Sequence, residues 1–320
     1  MLNIIDLFAG TGAFSLAFSK NGFAKSVFAN DIAKESENIY KLNHSGDVNF
    51  VLGNINSIKV ADIPPHDILC GGFSCQPFSI AGKQEGFNDP RSNVFWKILE
   101  IIQFHQPSIV ILENVKNLTS HDHGNSFKII KKSLVDLNYH IKCCILDTAT
   151  ITTVPQHRER IYIVCFKDKE LFERFNFNFE PRINLPIMNF LENNVNPKYY
   201  YTEKLKVFDL VKDNVKKHIR ENVIYQFRRV YVRENKSNVC PTLTANMGSG
   251  GHNVPLILDD NGIRKLTPRE CFNLQGFPPD YKLPNISDSH LYKLAGNAVS
   301  VPVVELIVDK IKSIIIPLNI

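Results

Sequence analysis

Short runs of apolar, β-type residues alternate with helical stretches through the first half of the chain. The runs MLNIIDLF, SVFAND, DILCGG, SIVILEN, HIKCCILD and ERIYIVCF each predict a strand, and stretches such as VFWKILEIIQFH and NSFKIIKKSLVDL predict amphipathic helices between strands. Strands that alternate with helices pair in parallel, with helices on both faces of the sheet. The pattern therefore predicts an α/β fold with a doubly wound, mostly parallel sheet.

The composition is that of a globular protein. The chain has 320 residues, 44% hydrophobic and 22% charged, which is enough for one large α/β domain and a small second lobe. No apolar run reaches the roughly 18 residues that a membrane span needs, and no secretory signal opens the sequence. We therefore expect a cytoplasmic protein.

The seven cysteines exclude some classes of site. Their number is odd and they include no CxxC pair, so a disulfide scaffold or a structural zinc site is not expected, and we predict no metal. Most of them lie in apolar runs, typical of small core residues. The net charge of +5 permits a polyanionic partner without requiring one.

The composition changes after residue 168. From there to about Pro255 the chain is rich in Asn, Lys, Phe and Tyr, and regular periodicity returns near Ile263. We predict one domain from residues 1–168 and 262–320, and a smaller one from residues 169–261.

The first candidate site is DLFAGTGAF, residues 6–14, where a strand ends and a helix begins. That is the cofactor crevice of an open α/β sheet, and Gly10 and Gly12 would let a ligand approach the backbone closely. Ser15 replaces the third glycine of a dinucleotide fingerprint, which disfavours NAD. Asp31 ends the next strand, where it could bind ribose hydroxyls. On this motif alone, a tight turn without a ligand remains open.

Two further candidates follow later strands. Cys75 lies in a polar loop after DILCGG, where a thiolate could act as a nucleophile; an inert surface cysteine is the alternative. Glu113 follows SIVIL, where a partly dry pocket could let it share or donate a proton. A helix cap or a solvated loop acid is the more common fate of a lone glutamate.

Arg158 and Arg160 form the fourth candidate. Their alternation puts both on one face of the last strand, where they suit a phosphate or a carboxylate, although a salt-bridge ladder with Glu159 is possible. All four sites fall at strand ends of one predicted sheet, and this convergence predicts a single functional site.

The ordered motifs resemble those of DNA (cytosine-5) methyltransferases, in particular the compact bacterial type that partners restriction systems. The matching motifs are Phe8–Gly12, the Ser-Cys-Gln loop at Cys75, Glu113–Val115, Gln156-x-Arg158-x-Arg160, Arg264–Glu270 and Gly296–Val299. The resemblance covers residues 1–168 and 262–312. It implies the fold of S-adenosylmethionine-dependent methyltransferases, with the middle lobe as the target recognition domain.

The resemblance also implies a role for each motif. Cys75 would attack carbon 6 of a cytosine flipped out of the DNA, and Glu113 would hydrogen-bond ring nitrogen 3 and the exocyclic amine. Arg158 would contact the base and help fix the catalytic loop, with Arg160 in support. The expected pocket for S-adenosyl-L-methionine is lined by Phe8, Ala9, Gly10, Thr11, Gly12, Asp31, Ile32, Asn54, Ile55, Asn297 and Ala298.

The implied macromolecular partner is double-stranded DNA, bound by a monomer, with a cognate restriction endonuclease as a genetic partner only. The expected DNA contacts are Ser79, Gln84 and Arg91 on a mobile loop, and Arg228, Arg229, Arg233, Gly250 and Gly251 in the middle lobe. Three positions depart from the family pattern: Ser74 replaces a proline, Asn54 an aspartate and Ile32 an aromatic residue. None of them removes a catalytic group.

Three other functions agree less well with the sequence. A tRNA methyltransferase of the same chemistry is disfavoured by the long middle lobe, whose arginines and glycine-rich residues 248–252 favour duplex DNA. A non-catalytic DNA-binding regulator is disfavoured by the intact set of Cys75, Glu113 and Arg158. A Rossmann dehydrogenase is disfavoured by Ser15 and gives Cys75 no role.

Overall fold

The computed structural model describes residues 1–44, 46, 48–73, 94–204, 207–215, 223–228, 231–235, 237–247 and 255–315. The chain divides into two compact units. The first comprises residues 1–146, 159–179 and 303–320, and the second comprises residues 147–158 and 180–302. Within the described ranges, no helix is both long and apolar enough to cross a membrane.

The strands fall into two sheets. They are β1 (Leu2–Leu7), β2 (Ala24–Asp31), β3 (Asn49–Leu52), β4 (Ile68–Gly72), β5 (Ile109–Val115), β6 (His140–Asp147), β7 (Glu159–Phe166), β8 (Ile224–Arg228), β9 (Tyr231–Asn235), β10 (Pro255–Asp259) and β11 (Gly262–Lys265). Among the described residues, the larger sheet has the order β3-β2-β1-β4-β5-β7-β6, and the smaller has the order β11-β10-β8-β9.

The helices follow the strands of the larger sheet and continue into the second unit. They are α1 (Ala13–Asn21), α2 (Lys34–Asn43), α3 (Val94–His105), α4 (Asn125–Asp136), α5 (Thr148–Ile151), α6 (Lys169–Arg174), α7 (Phe208–Val215), α8 (Pro268–Leu274), α9 (Asp288–Asn297) and α10 (Val301–Ile315). The predicted strands and helices of the first half are all present, so the prediction of an α/β, mostly parallel sheet is confirmed.

The larger sheet is buried at its centre. Ile68 and Leu69 of β4 and the aliphatic residues 109–112 of β5 are almost wholly inaccessible, as expected of strands covered on both faces. Strands β1 to β5 run parallel, whereas β7 runs antiparallel to β5. The start of β7 therefore lies at the same edge of the sheet as the carboxyl end of β5.

In the second unit, the sequence LTPRE begins helix α8 with a capping box. The Thr267 hydroxyl accepts from the Glu270 N–H, and the Glu270 carboxylate accepts from the Thr267 N–H at 2.7 Å. Arg264 is buried and pairs with the same carboxylate through two nitrogens, at 2.7 and 2.8 Å. Glu270 thus caps the helix and joins it to β11 at once.

The boundaries of the two compact units differ from those of the predicted domains. Residues 262–302 are grouped with residues 180–261, together with residues 147–158. Compactness does not say which segment recognises DNA, so the functional division at residues 169–261 stays a prediction.

Candidate active site

The loop after β1 has an unusual backbone. Phe8, Gly10 and Gly12 all have positive φ, at 55°, 52° and 69°. The Gly10 N–H donates to Oδ2 of Asp31 at 2.9 Å, and the other oxygen of this carboxylate accepts from the Ala33 N–H at 2.8 Å. Asp31, at the end of β2, therefore lies beside the loop between β1 and α1 and fixes its backbone.

Position 12 requires a glycine both for its backbone conformation and for the small space around it. A Cβ at this position would lie 2.2 Å from Nε2 of His44 and 2.9 Å from the Tyr40 ring. The His44 ring stacks against Tyr40 with 4.3 Å between ring centroids, and burial lowers the pKa of His44 to about 4. A neutral imidazole therefore covers the start of α1 near pH 7.

A buried polar cluster lies beneath this loop. The Ser15 hydroxyl donates to Oδ2 of Asp6 at 2.7 Å, and it also contacts the hydroxyls of Tyr40 and Ser26 at 2.8 and 2.7 Å. Burial raises the pKa of Asp6 to about 7, although the hydrogen bonds from Ser15 oppose this rise. One serine thus joins β1, β2, α1 and α2 where the sequence had only indicated a missing glycine.

Residues predicted to line the cofactor pocket differ in exposure. Ile32 is 71% exposed, whereas Ile55 is buried. The Asn54 side-chain oxygen accepts from the Asn56 N–H at 3.0 Å and caps the short 3₁₀ helix Ile55–Ser57. Ile32 therefore offers an apolar surface beside Asp31, and Asn54 has a structural function in addition to the predicted one.

Glu113 and Arg160 meet at the carboxyl end of β5. Glu113 pairs with Tyr162 and Val115 pairs with Arg160 in the antiparallel ladder, so Glu113 and Arg160 are diagonal neighbours on one face. Their side chains are mostly buried, with Oε1 and Nε 3.1 Å apart. The carboxylate is therefore held by a guanidinium rather than solvated in a loop.

Asn114 anchors the backbone of Phe73, two residues before Cys75 in the sequence. Its side-chain nitrogen donates to the Phe73 carbonyl at 2.9 Å, and both residues are buried. Gly72, the last residue of β4, is the partner of Glu113 in the parallel ladder. The backbone that leads to Cys75 thus leaves the sheet beside Glu113.

Arg158 has a different environment from Arg160. In the second unit its guanidinium is buried and donates to the carbonyls of Leu243, Gly296 and Ala298, at 3.1, 3.2 and 2.7 Å. These bonds hold the end of α9 and the residues after it, where Asn297 is exposed and Ala298 is buried. The two arginines of the motif, predicted to act together, therefore have separate partners.

Comparison with known proteins identifies the family. The family of C-5 cytosine-specific DNA methylases matches residues 2–313. This chain belongs to that family. The methylase is thus a DNA (cytosine-5-)-methyltransferase, as its motifs predicted, and the family and fold imply the use of S-adenosylmethionine.

Curated relatives match this methylase over nearly their whole lengths. The Type II methyltransferase M.Bsp6I of Bacillus sp. (strain RFL6) is 45% identical over 97% of this chain and 98% of its own. The Type II methyltransferase M.NgoBI of Neisseria gonorrhoeae is 41% identical over 99% of this chain and 95% of its own.

Solved structures share the fold of the methylase. S. pombe Dnmt2 methyltransferase has a TM-score of 0.74 with 21% identity and covers 100% of both chains. A mutant of Spodoptera frugiperda DNMT2 has a TM-score of 0.76 with 21% identity, over 97% of this chain and 99% of its own. At this identity the likeness concerns the fold alone, and it confirms the predicted methyltransferase fold.

Several predicted site residues of the methylase lie outside the described residues: Ser74, Cys75, Ser79, Gln84, Arg91, Arg229, Gly250 and Gly251. Of the other predicted DNA contacts, Arg233 is exposed on β9, whereas Arg228 on β8 is half-buried and donates to the Gln226 side chain at 3.0 Å. The DNA contacts stay predictions.

Sequence reasoning missed four residues of the methylase that shape the site. They are Ser15, His44, Asn114 and Gln156, of which Ser15, Asn114 and Gln156 are visible in the sequence as polar residues inside a motif. Asn114 was quoted as part of Glu113–Val115 without a role of its own. His44 ends a helix, and nothing in its spacing indicates that its ring covers Gly12.

Proposed function

We propose that this methylase transfers a methyl group from S-adenosyl-L-methionine to carbon 5 of a cytosine flipped out of duplex DNA, through a covalent adduct with Cys75. We further propose that it protects DNA within a restriction–modification system, as the names of its Type II relatives suggest. The observation that carries the proposal is the pairing of Glu113 with Arg160 beside Gly72, the last residue of β4, which precedes Cys75 by three residues in the sequence.

The first unit has groups that fit the cofactor. Gly10 has no side chain to obstruct an approaching ligand, Asp31 could accept from ribose hydroxyls, and the exposed Ile32 could pack on an adenine. Asn297, which is exposed, is a further polar residue that we assign to the cofactor on its motif. Bound S-adenosylmethionine supplies an electrophilic methyl group.

Cys75 would begin the reaction by adding its thiolate to carbon 6 of the cytosine. The ring electrons then make carbon 5 nucleophilic, so that it would take the methyl group while S-adenosyl-L-homocysteine is released. Carbon 5 would then lose its proton to a base in the solvent. The electron pair of that C–H bond re-forms the double bond between carbons 5 and 6 and expels the Cys75 thiolate. The base must leave the stack first, because carbon 6 is inaccessible in a paired helix.

Glu113 would hydrogen-bond ring nitrogen 3 and the exocyclic amine of the base. Its carboxyl group can share a proton with nitrogen 3, which stabilises the negative charge that arises when the thiolate adds. Arg160 holds Glu113 in place from the neighbouring strand and is therefore the arginine that we assign to the base pocket. Arg158, whose guanidinium is engaged by three carbonyls, is assigned a positioning role.

We assign recognition of the target to residues 169–261, with Arg233 as an exposed phosphate contact. Bisulfite sequencing of DNA from cells that express the protein tests the proposed function as a whole. We expect methylation of one cytosine within one short sequence context. Unmethylated DNA from cells in which the folded protein accumulates would contradict the proposal.

A further inference from the structure

Two side chains hold the backbone of Leu243 from opposite directions. The Leu243 N–H donates to Oε1 of Gln156 at 3.2 Å, and the Leu243 carbonyl accepts from Nη1 of Arg158 at 3.1 Å. All three residues are buried, and all belong to the second unit. Buried backbone N–H and C=O groups that are held by such side chains have one favourable position.

Backbone contacts extend this hold to the residues before Leu243. The His157 N–H donates to the Cys240 carbonyl at 2.8 Å, and the Cys240 N–H donates to the Pro155 carbonyl at 2.6 Å. The Thr242 hydroxyl donates to the His157 carbonyl at 2.6 Å. The segment 240–243 therefore runs along residues 155–158 as a short hydrogen-bonded ribbon.

The other ends of the same side chains reach the region of α8 and α9. Nε2 of Gln156 donates to the Leu274 carbonyl at 2.6 Å, and Nη2 of Arg158 donates to the carbonyls of Gly296 and Ala298. Gly296 touches the held segment directly, because a Cβ there would lie 2.2 Å from the Thr244 carbonyl carbon and 2.4 Å from the Ala245 nitrogen. Backbones approach this closely only at a glycine.

Polar side chains follow immediately after the held peptide. Thr244 is half-buried and Asn246 is exposed, and the Thr244 hydroxyl donates to Oδ1 of Asn246 at 2.8 Å. Threonine and asparagine are side chains that contact base edges and phosphates in protein–DNA complexes. The ribbon beneath them and a bond from the Met247 N–H to the Thr244 carbonyl, at 3.1 Å, together fix the position of this segment.

We infer that Gln156, Arg158 and Gly296 are positioning residues for target specificity. They fix residues 240–246 so that Thr244 and Asn246 meet the DNA in one register. The inference rests on the proposed function, because it needs duplex DNA as the substrate and the second unit as the part that reads it.

The test measures discrimination between sequences in Gly296→Ala and Arg158→Lys. Each variant methylates the target duplex of the wild-type protein in competition with duplexes that carry one replaced base pair. We expect the ratio of kcat/KM between target and altered duplex to fall about tenfold, within the range that one wrong base pair costs a specific complex. The ratio is independent of the fraction of active enzyme, so a merely structural role would leave it unchanged.

Gly262→Ala is the matched control in the same unit. Gly262 has a φ of 128°, and its added Cβ would lie 3.9 Å from the Tyr200 ring, so the variant carries backbone strain without touching residues 240–246. It should lose stability and keep the wild-type ratio. If Gly296→Ala does not fold, Arg158→Lys alone provides the test. A lysine keeps the positive charge but lacks the several N–H donors of the planar guanidinium.

The outcomes separate the inference from the function on which it rests. An active wild-type protein with an unchanged ratio in the folded variants overturns the inference alone. An equal fall in Gly262→Ala overturns it as well, since general instability would then suffice. A wild-type protein that methylates no duplex overturns the proposed function and the inference together.

Discussion

Nε of Arg160 lies 3.1 Å from Oε1 of Glu113, and the two side chains belong to antiparallel neighbours at one edge of a mostly parallel sheet. The reversed direction of β7 creates this contact, because it brings the first residues of one strand beside the last residues of the other. A parallel β7 would have taken the arginine to the opposite edge of the sheet.

Removing this guanidinium should impair catalysis. Arg160→Gln leaves the mostly buried Glu113 without its cationic partner, and we expect kcat to fall about a hundredfold or more, as when a preorganised donor is lost. Lys132→Gln is the control, because Lys132 pairs with Asp136 at the surface, where such pairs contribute at most about 1 kcal/mol. Single-turnover methylation of a target duplex measures both. Equal rates of methylation in the two variants would contradict the assignment of Arg160 to the base pocket.

The two glycines that flank α1 offer a matched comparison. Gly12 and Gly22 have φ of 69° and 64°, but an added Cβ would collide with His44 only at Gly12, while the space at Gly22 is open. Both alanine variants should lose stability through strain. Only Gly12→Ala should also raise the KM for S-adenosylmethionine, with kcat on saturating cofactor less affected.

A second substitution checks the cause. His44→Ala removes the ring that the new Cβ would meet, so the double variant should recover part of the stability that Gly12→Ala loses in urea denaturation. Additive effects of the two changes would contradict a steric cause.

Asp6 should make stability depend on pH. Its folded pKa is about 7, well above the unfolded value of about 3.9, so the folded protein binds this proton more tightly. The contribution is fully present below pH 4 and is lost as pH rises through 7. Asp6→Asn, which cannot ionise, should therefore gain stability relative to the wild type between pH 5 and pH 8.

Urea denaturation at the two pH values measures this difference. Asp136→Asn, an exposed carboxylate on α4, serves as the control and should show a nearly constant difference from the wild type. A constant difference for Asp6→Asn as well would mean that Asp6 stays ionised in its cluster with Ser15.

Periodicity predicted most elements of the first half, although not β3, because it reports which face of each segment is buried, and that is a local property. The motif at Glu113 could likewise be found from its place after a buried strand. The partner of Glu113 could not be chosen, because Arg158 and Arg160 have the same spacing pattern. The choice depends on the register between β5 and β7 and on where the chain leaves that ladder.

The middle of the chain was harder to predict for a related reason. Strands β8 to β11 are short and antiparallel, and the buried Arg264 and Gln226 interrupt the apolar pattern that marks a strand. Residues 155–158 hold residues 240–243 across more than eighty positions of sequence. No local pattern contains that contact, whose energy comes from satisfying buried backbone groups.

Exchange of the middle segment tests which part reads the DNA. Residues 169–261, grafted between the flanks of a related methylase, should carry this protein's target sequence with them. Bisulfite sequencing shows which context the chimera methylates. Methylation at the site of the flank donor would contradict the division, whereas an inactive chimera requires the graft to be extended to residues 147–158 and 262–302, the limits of the second compact unit.

The central claim is that Cys75 adds to carbon 6 of the target cytosine, and a fluorine at carbon 5 tests it most directly. Because fluorine cannot leave as a cation after methylation, the adduct should be trapped. Duplex DNA with 5-fluorocytosine at the target, together with S-adenosylmethionine, should give a protein–DNA band that survives denaturation, and Cys75→Ser should give none. Free DNA on the denaturing gel, from protein that methylates the ordinary duplex, would contradict the covalent mechanism.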